Sequence, residues 1–250
     1  MAERAGDHFS SVSHAYSAFR PRYPSELFDY VESIVDRHQL AWDCGAGSGQ
    51  ASGDLAARFD AVVATDLSVS QLREATRHER IVWAAAKAEA APIAGRSIDL
   101  IAVAQALHWF DQSAFYDEVR RVSAPGAAIV AWTYGSPEMD GETGTALLEF
   151  MYGRLGPYWA PERQLVVDEY RTIPFPFARI EAPRLVLEER WTPSQVAGYG
   201  RSWSATSRYV KQHGDDPIPE LERVLAHLWP NPAERRSIRW PLVVVAGRVG

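Results

Sequence analysis

The chain has 250 residues, of which 46% are apolar and 23% are charged. This composition is close to that of an average globular domain, and it excludes a disordered or collagen-like protein. The formal net charge of −6 leaves no broad cationic field on the surface, so the sequence predicts no nucleic-acid partner.

Helical and strand patterns alternate along the first half of the chain. An amphipathic helix is predicted to begin at Ser25, because apolar residues follow at helical spacing as far as Val35. Helical patterns further on contain Ser68 and Gln71 at the spacing of a capping box, and Asp111 as a helix cap. Short apolar runs between them predict five strands, over 40–44, 61–65, 81–85, 98–104 and 127–132. This alternation favours a parallel sheet with right-handed crossover helices on both faces.

The pattern changes at about residue 136. Proline, glycine and aromatic residues surround short helical stretches there, which we interpret as an insertion over the sheet. Two further strands are predicted over 185–190 and 241–249, with helices over 194–209 and 219–228 between them. The expected fold class is therefore α/β, a doubly wound and mostly parallel seven-stranded sheet with helices on both faces.

Small residues dominate the segment between the first predicted strand and the helix that follows it. Gly45, Gly47 and Gly49 would let a ligand approach the backbone without Cβ atoms in the way. The dinucleotide fingerprint is G-x-G-x-x-G, whereas this loop reads G-x-G-x-G and continues with Gln50, which opposes a nicotinamide cofactor. A glycine-rich turn that binds no ligand is the alternative.

Asp66 is an acidic residue at the tip of the second predicted strand. A carboxylate about 20 residues after a glycine loop is placed to accept hydrogen bonds from both hydroxyls of a ribose. The alternative is a carboxylate that only initiates the next helix, but Ser68 already serves as the cap there. The loop and Asp66 together therefore predict a ligand that contains a ribose.

With these motifs, the chain resembles the class I S-adenosylmethionine-dependent methyltransferases, a family with a seven-stranded, Rossmann-like fold. The resemblance covers the loop Asp-Cys-Gly-Ala-Gly-Ser-Gly-Gln at 43–50, the strand end at 64–68, the segments 86–92 and 97–100, and Gln-Ala-Leu-His-Trp-Phe-Asp at 105–111. The segments 16–24 and 202–205 are similar to those of the narrower group around trans-aconitate methyltransferases.

The resemblance implies S-adenosyl-L-methionine as the cofactor and assigns its binding residues by position. The segment from Gly45 to Gly49 would lie along the methionine part, and Asp66 would hold the ribose. Leu67 would pack against the adenine, Ala88 would present its backbone amide to that ring, and Gln105 would close the site. The full set of residues expected at the cofactor is Tyr16, Arg20, Asp43, Gly45, Ala46, Gly47, Gly49, Asp66, Leu67, Ala88 and Gln105.

One position departs from the family's pattern. The family often has an acidic or hydroxyl residue where this chain has Lys87, and that residue would accept a hydrogen bond from the adenine amino group. A lysine side chain has no acceptor, so the contact is left to the Lys87 backbone carbonyl or to another residue.

Methyl transfer is an in-line displacement, so the protein mainly has to position two reactants. Positioning can supply about 7–11 kcal/mol, and no catalytic triad is required. Aromatic faces near the sulfonium would attract its positive charge. The candidates for that role are Tyr16, Tyr23, Trp109 and Phe110.

His108 is the candidate general base, because it follows the fourth predicted strand at the edge where α/β sheets bind their ligands. The alternative is a structural histidine that bonds to the loop backbone, and a carboxylate acceptor would need no base. Arg20 and Arg22 could each pair with a carboxylate of the cofactor or the acceptor, or could be ordinary surface arginines. The helix over 194–209 could add further side chains at the acceptor, namely Arg201, Trp203 and Arg208.

The expected function is methyl transfer to a small-molecule acceptor, at a carboxylate or hydroxyl of an acidic metabolite. One alternative is a protein that binds S-adenosyl-L-methionine without catalysis. Another is a methyltransferase that acts on protein or tRNA, which the acidic net charge opposes because nucleic-acid binders carry a basic stripe. For the oligomeric state, the sequence is compatible with a monomer and with a dimer.

We expect one methyltransferase domain over 1–250. Its parts would be an N-terminal lid and helix, a cofactor-binding core, an insertion, and C-terminal strands and helices, over 1–38, 39–135, 136–178 and 179–250 respectively. Residues 1–24 combine polar residues with aromatic ones, and we expect them to form a mobile lid.

Cys44 is the single cysteine in the sequence, which excludes an internal disulfide and a cysteine-cluster zinc site. The histidines have no metal-ligand spacing, so we expect no metal. The sequence has no apolar run of membrane-spanning length and no apolar segment near its first residue. It therefore predicts no membrane partner and a location in the reducing cytoplasm.

Overall fold

The computed structural model describes residues 19–250, which are built around one mixed sheet. The strands are β1 Leu40–Cys44, β2 Ala61–Asp66, β3 Ile81–Ala85, β4 Ile98–Ala104, β5 Ser123–Tyr134, β6 Ala178–Ile180, β7 Leu185–Trp191 and β8 Arg236–Arg248. They are hydrogen-bonded in the order β3-β2-β1-β4-β5-β8-β6, and β7 also pairs with β8. Tyr16 and most of the expected lid lie outside the described residues.

The first five strands run parallel, so their carboxyl ends meet at the same edge of the sheet. At the centre of the sheet, Trp42 of β1 is aligned with Val63 of β2 on one side and with Ile101 of β4 on the other. β8 runs antiparallel to β5. The loops after β1, β2 and β4 therefore converge at the edge where open α/β sheets bind their ligands.

Helices connect the strands and complete the fold. They are α1 Ser25–Ser33, α2 Ser52–Ala56, α3 Val69–Glu74, α4 Gln112–Val122, α5 Gly141–Glu149, α6 Arg163–Val167, α7 Pro193–Arg201, α8 Ser204–His213 and α9 Ile218–Leu228. Short 3-10 turns lie at Leu107–Trp109 and Gly156–Tyr158, and a π-helical turn follows α5 at Phe150–Arg154. No helix within residues 19–250 combines the length and the apolar character needed to cross a membrane.

Consecutive strand residues enter two different cores, one on each face of the sheet. Leu100 of β4 belongs to the core that contains Leu27 of α1. The next residue, Ile101, belongs to the core that contains Phe115 of α4. A strand that is buried on both faces reads as a continuous apolar run, which is the pattern that predicted β4. The predicted doubly wound α/β fold with helices on both faces is confirmed.

The outer edge of the sheet differs from the prediction. β6 and β7 lie one after the other along the far edge of β8, so the described residues form eight strands and not the expected seven. β8 begins at Arg236, before the predicted start at Pro241, because buried Ile238 and Trp240 alternate with exposed Arg239. This alternation is typical of a strand with one solvated face, whereas the prediction followed the continuous apolar run after it.

The single helix predicted over 194–209 is two helices, α7 and α8. The side-chain hydroxyls of Ser202 and Thr206 donate to carbonyl oxygens of α7, at 2.7 and 2.6 Å. Trp203 between them has an extended backbone. Because the hydroxyls take carbonyl acceptors that the helix backbone would use, they favour a break in the helix at this point.

Two predicted helix starts have different outcomes. Asp111 accepts a hydrogen bond from the Ala114 backbone N–H at 3.2 Å, which confirms the cap of α4. Ser68 Oγ accepts from the Gln71 backbone N–H at 3.4 Å, which forms one half of the predicted capping box. The Ser68 backbone N–H instead donates to Asp66 Oδ1 at 2.7 Å, so Gln71 does not supply the other half.

Candidate active site

A cavity opens at the carboxyl ends of β1, β2 and β4. Gly45, Asp66 and Gln105 line it from the ends of these three strands. Other lining residues come from the expected insertion and from the junction of α7 and α8, among them Trp159 and Trp203. The cavity therefore joins the predicted cofactor loop to aromatic side chains from much later in the chain.

The glycine loop after β1 has a left-handed backbone at three positions, with φ of 73° at Gly45, 58° at Gly47 and 88° at Gly49. A Cβ atom at Gly45 would lie 2.6 Å from the Cβ of Ala106, so no larger residue fits between β1 and β4. A Cβ atom at Gly49 would collide with the Trp83 ring. Gly45 and Gly47 line the cavity together with Ala46, whereas Gly49 has a packing role behind it. The loop thus presents bare backbone to the cavity, as the prediction requires.

Asp66 lies in the cavity wall and holds the glycine loop. Its Oδ2 accepts from the Gly47 backbone N–H at 2.9 Å, and its Oδ1 accepts from the Ser68 N–H at 2.7 Å. Burial raises the pKa of this carboxyl, and the two backbone hydrogen bonds lower it. Each carboxylate oxygen keeps a second lone pair, which leaves acceptors for the two hydroxyls of a ribose. The helix-initiating contact to Ser68 and the ribose role are therefore compatible.

Asp43 is fully buried at the end of β1 and does not line the cavity. Its Oδ2 accepts from the Ser52 hydroxyl at 2.6 Å. Its Oδ1 is buried and has no hydrogen-bond partner within residues 19–250. Burial raises the pKa of this carboxyl to about 7, against the hydrogen bond from Ser52, and the charge of Asp66 raises it further. Any effect of Asp43 on a ligand would act through the loop that it precedes.

The wall expected to face adenine contains Leu67, which is 52% exposed, and Ala88. Lys87, the residue that departs from the family's pattern, is not among the residues that line the cavity. Its backbone carbonyl accepts from the Ala90 N–H at 3.2 Å within a turn. The acidic residue on this wall is Glu89, whose carboxylate accepts from the Asp111 backbone N–H at 3.0 Å. Sequence reasoning missed Glu89, although it stands two residues after Lys87.

Gln105 directly follows β4, has a left-handed backbone with φ of 55°, and lines the cavity. Its backbone N–H donates to the Trp132 carbonyl at 2.9 Å. Its side chain is fixed to the end of β5, because Nε2 donates to the Tyr134 carbonyl at 3.3 Å and Oε1 accepts from the Thr133 hydroxyl at 2.6 Å. This immobilised amide forms one boundary of the cavity, in the place where the sequence predicts closure of the site.

His108 lines the cavity but is buried, with its Nδ1 2.9 Å from the Tyr170 hydroxyl. Burial lowers its pKa to about 3, and the charge of Arg163 lowers it further. The imidazole is therefore neutral at physiological pH and is a weak proton acceptor. This geometry favours the structural alternative, with the difference that its partner is a tyrosine side chain and not the loop backbone.

Arg20 lines the cavity. Its Nη2 donates to the Ser202 carbonyl at 3.2 Å, and its guanidinium lies 5.7 Å from the Tyr199 ring centroid. The neighbouring Pro21 carbonyl accepts from Gln50 Nε2 at 2.6 Å, which ties this segment to the end of the loop. The Arg20 guanidinium therefore lies at the junction of α7 and α8, while the next residue ties its segment to the glycine loop.

Three other arginines named from the sequence do not line the cavity. The Arg22 backbone N–H lies 3.5 Å from a carboxylate oxygen of Glu189. Arg201 forms an ion pair with Asp216 at 3.0 Å, and the Arg208 guanidinium donates to a carbonyl at 3.3 Å. Arg201 and Arg208 therefore contact other parts of the protein. Of the three candidates from 194–209, only Trp203 lines the cavity.

The expected insertion contributes a residue that sequence reasoning missed. Arg163, at the start of α6, lines the cavity. Its guanidinium carbon lies 3.9 Å from the centroid of the Trp159 ring. The sequence predicts only an aromatic insertion with short helical stretches here, because a long-range contact such as that of Arg163 with the cavity leaves no periodic pattern.

Metal-binding side chains are not clustered in the part of the chain that the structure describes. Among residues 19–250, no group of three or more His, Cys, Asp or Glu side chains is placed to hold a metal ion. Cys44 is buried in β1, and burial raises the pKa of its thiol, so the sulfur is held in its protonated form.

Comparison with known proteins agrees with this geometry. A family model described as a methyltransferase domain matches residues 42–131. A Dictyostelium discoideum protein, provisionally named a methyltransferase, is 33% identical over 223 residues, which cover 88% of this chain and 85% of the relative. A solved structure from Anaeromyxobacter dehalogenans, provisionally named a type II methyltransferase, has 42% identity and a TM-score of 0.84, with 93% of this chain and 99% of that chain covered.

A more distant structure shares the fold alone. The YcgJ protein of a Bacillus species has a TM-score of 0.53 at 15% identity, with 90% of this chain and 98% of that chain covered. The narrower resemblance to trans-aconitate methyltransferases stays a prediction. Because the Dictyostelium relative and the Anaeromyxobacter structure are similar over nearly their whole length, the chain belongs to the class I S-adenosylmethionine-dependent methyltransferases.

Proposed function

We propose that this methyltransferase moves a methyl group to a small-molecule acceptor, at a carboxylate in preference to a hydroxyl. The observation that carries this proposal is the continuity of one cavity, which extends from Asp66 to Trp159 and Trp203. S-adenosyl-L-methionine would occupy the end at the glycine loop, and the acceptor would occupy the aromatic end. A single concave site with a few polar groups is what a small ligand pair requires.

The residues at the glycine-loop end fit the cofactor chemically. Gly45 and Gly47 would leave room for its methionine part, and Asp66 would accept from its ribose hydroxyls. The planar fork of Arg20 would suit its carboxylate. Ala46, Leu67, Ala88 and Gln105 would complete the contacts in the cavity, and Asp43 and Gly49 would support the loop from behind it.

Orientation and charge are the contributions that we propose for the chain. When bound, S-adenosyl-L-methionine supplies an activated methyl group. Tyr23, Trp109 and Phe110 line the cavity, and ring faces near a sulfonium attract it by about 0.5–2 kcal/mol each. The side chains that line the cavity would hold the acceptor in line with the methyl group and exclude water from the methyl group.

The titratable groups of the cavity favour a carboxylate acceptor. His108, with its pKa lowered to about 3, is a poor base for a hydroxyl. Asp66 and Glu89 lie on the nucleotide side, and both accept from backbone N–H groups. A carboxylate is already ionised at neutral pH, so it can attack a methyl group without losing a proton.

The alternatives are less well supported. A protein that only binds the cofactor would have no need of an aromatic compartment continuous with the loop. A protein or tRNA acceptor would call for an open basic surface, which a net charge of −6 does not favour. Membership of the trans-aconitate methyltransferase-like group is part of the proposal, and it is supported by Ser202 and Trp203, which line the cavity from the segment that carries that resemblance.

Isothermal titration tests the cofactor assignment. S-adenosyl-L-methionine, or its demethylated product, should bind at least tenfold more tightly than NAD. Asp66→Ala should weaken that binding by about 1.5–3 kcal/mol, because hydrogen bonds to a charged acceptor are lost. Asp60→Ala, at an exposed carboxylate outside the cavity, is the matched control and should bind as the wild type does. Tighter binding of NAD, or an unchanged affinity of Asp66→Ala, would contradict the proposal.

A further inference from the structure

Arg163 places a positive charge in the aromatic end of the cavity. Its guanidinium is stacked on Trp159, with Cζ 3.9 Å from the ring centroid. Stacking occupies one face of the guanidinium and leaves its N–H groups directed outward in its plane. The nearby residues that also line the cavity are largely apolar and include Met151, Val166 and Trp203.

The charge of Arg163 has no acidic partner in the described chain. Arg154 pairs with Glu220 and Arg171 pairs with Glu169, but within residues 19–250 no carboxylate forms an ion pair with Arg163. Its Nε is buried and donates to no acceptor in the same part of the chain. The hydrogen bond that its side chain does make is long, from Nη2 to Met151 Sδ at 3.9 Å, and a thioether sulfur is a weak acceptor.

A buried donor and an unneutralised charge are both unfavourable unless a ligand supplies an anion. The donors of a guanidinium lie in one plane and match the two oxygens of a carboxylate. Because Trp159 fixes the orientation of this plane, little freedom would be lost when a carboxylate binds to its edge. The surrounding tryptophan and aliphatic side chains would then pack against an apolar body attached to that carboxylate.

Arg163 and Arg20 belong to different segments of the chain. Arg20 belongs to the segment that Gln50 ties to the glycine loop through the Pro21 carbonyl. Arg163 lies in the insertion, near enough to His108 for its charge to lower the pKa of that residue. The two arginines thus reach the cavity from different segments of the chain. Both lie near Tyr199, because burial raises the pKa of its hydroxyl and the charges of Arg20 and Arg163 each lower it.

We propose that Arg163 is the binding residue for the carboxylate of the methyl acceptor, and that the acceptor is a small carboxylic acid with an apolar body. This inference rests on the proposed function, because it assumes that the cofactor occupies the glycine-loop end. Arg163 holds one carboxylate, Arg20 holds that of the cofactor, and the ring of Trp159 keeps the Arg163 fork in place.

Titration of matched acids and amides tests the role of Arg163. The probes are aromatic and linear monocarboxylates, such as phenylacetate and hexanoate, and their primary amides, added to protein saturated with S-adenosylhomocysteine. At least one acid should bind tenfold or more tightly than its amide. In Arg163→Gln that preference should fall below twofold, while Arg163→Lys, which keeps the charge but loses the planar fork, should retain part of it.

Controls separate this inference from the proposed function. Arg171→Gln changes an exposed arginine of the same segment and should keep the full preference for acids. Arg163→Gln should bind S-adenosylhomocysteine as the wild type does, and a tenfold loss of that affinity would make Arg163 a cofactor residue and overturn the inference. Equal binding of acids and amides by wild-type protein that binds S-adenosylhomocysteine would also overturn it, without affecting the cofactor assignment. Failure of the wild type to bind S-adenosylhomocysteine would count against the proposed function itself.

Discussion

Gly45 brings the loop after β1 close to the end of β4, nearer than a side chain would allow. In Gly45→Ala the new Cβ would lie 2.6 Å from that of Ala106, on a backbone with φ of 73°. The free energy of unfolding should fall by about 1–3 kcal/mol, from left-handed strain and from the contact. Binding of S-adenosylhomocysteine should weaken as well. Chemical denaturation and titration measure these two effects.

Gly53→Ala is the matched control for this prediction. Gly53 lies in α2, and a Cβ atom there would meet nothing within 4 Å. Alanine is favoured over glycine in a helix, so this variant should be as stable as the wild type or more stable by up to about 1 kcal/mol. Equal stability of Gly45→Ala and Gly53→Ala would show that the loop tolerates a side chain, against the geometry described.

We expect His108 to stabilise the fold through its hydrogen bond with Tyr170 and not to act as a general base. His108→Gln should change kcat on a carboxylate acceptor by less than about tenfold, because the acceptor needs no deprotonation. It should lower the free energy of unfolding by about 1–3 kcal/mol, since a buried polar contact is disturbed. Steady-state kinetics measure the change in kcat, and chemical denaturation measures the change in the free energy of unfolding. A loss of 10²-fold or more in kcat would contradict the structural role and support His108 as the general base.

Sequence reasoning reached some residues of the cavity better than others. Gly45 and Asp66 follow strands whose apolar runs were clear, so their meeting at one sheet edge could be predicted. Glu89 was missed because Lys87 occupies the position where the family has an acceptor, and only the geometry shows which side chain faces the cavity. Arg163 was missed because a stacked arginine far along the chain carries no local signal.

At the scale of elements, Gly198 of α7 leaves the space in which the side chain of Phe19 packs. The Phe19 ring lies against Gly198, and a Cβ atom at Gly198 would come within 2.7 Å of it. Gly198→Ala should therefore displace Phe19 and, with it, the adjacent Arg20. We expect S-adenosylhomocysteine to bind about three- to tenfold more weakly, which titration measures.

A second glycine variant tests whether this effect is specific. Gly153→Ala places a methyl group where nothing lies within 4 Å, and it should leave the affinity for S-adenosylhomocysteine unchanged. If Gly198→Ala also left the affinity unchanged, the contact between Phe19 and α7 would have no part in cofactor binding, and the expected role of Arg20 would lose its support.

The elements that could be predicted are those whose pattern is local. β1 to β4 coincide closely with the predicted runs, because each strand reads as a short apolar run, although Val82 of the edge strand β3 is exposed. The division of 194–209 into α7 and α8 was not predicted, since it depends on which carbonyl groups the hydroxyls of Ser202 and Thr206 reach. β6 has three residues and follows only from its pairing with β8.

At the scale of the whole molecule, two buried groups give stability opposite dependences on pH. Burial raises the pKa of Asp43 from 3.8 to about 7, so its contribution to stability is present below pH 3.8 and is lost as the pH rises to about 7. Burial lowers the pKa of His108 from 6.5 to about 3, so its contribution is present above pH 6.5 and is lost as the pH falls toward 3. Between these limits, Asp43 makes the free energy of unfolding fall with rising pH and His108 makes it rise.

When one of the two groups is replaced, the pH dependence of the free energy of unfolding should reflect the other group alone. Relative to the wild type, Asp43→Asn should gain stability as the pH rises from about 4.5 to 6.5, and His108→Gln should lose it, each by up to about 1.4 kcal/mol per pH unit. Urea denaturation across this range measures the free energy of unfolding of all three proteins. Parallel curves for the two variants would contradict the assignment of these groups.

The most direct test of a carboxylate acceptor is transfer of a deuterated methyl group from S-adenosyl-L-methionine to a panel of small carboxylic acids, alcohols and amines. Mass spectrometry should detect a labelled methyl ester of at least one acid. Its yield at low cofactor concentration should fall at least tenfold in Asp66→Ala, and its yield at low acid concentration should fall as much in Arg163→Gln. Labelled product from amines or alcohols alone, or no labelled product from a protein that binds the cofactor, would contradict a carboxylate acceptor held at the end of the cavity.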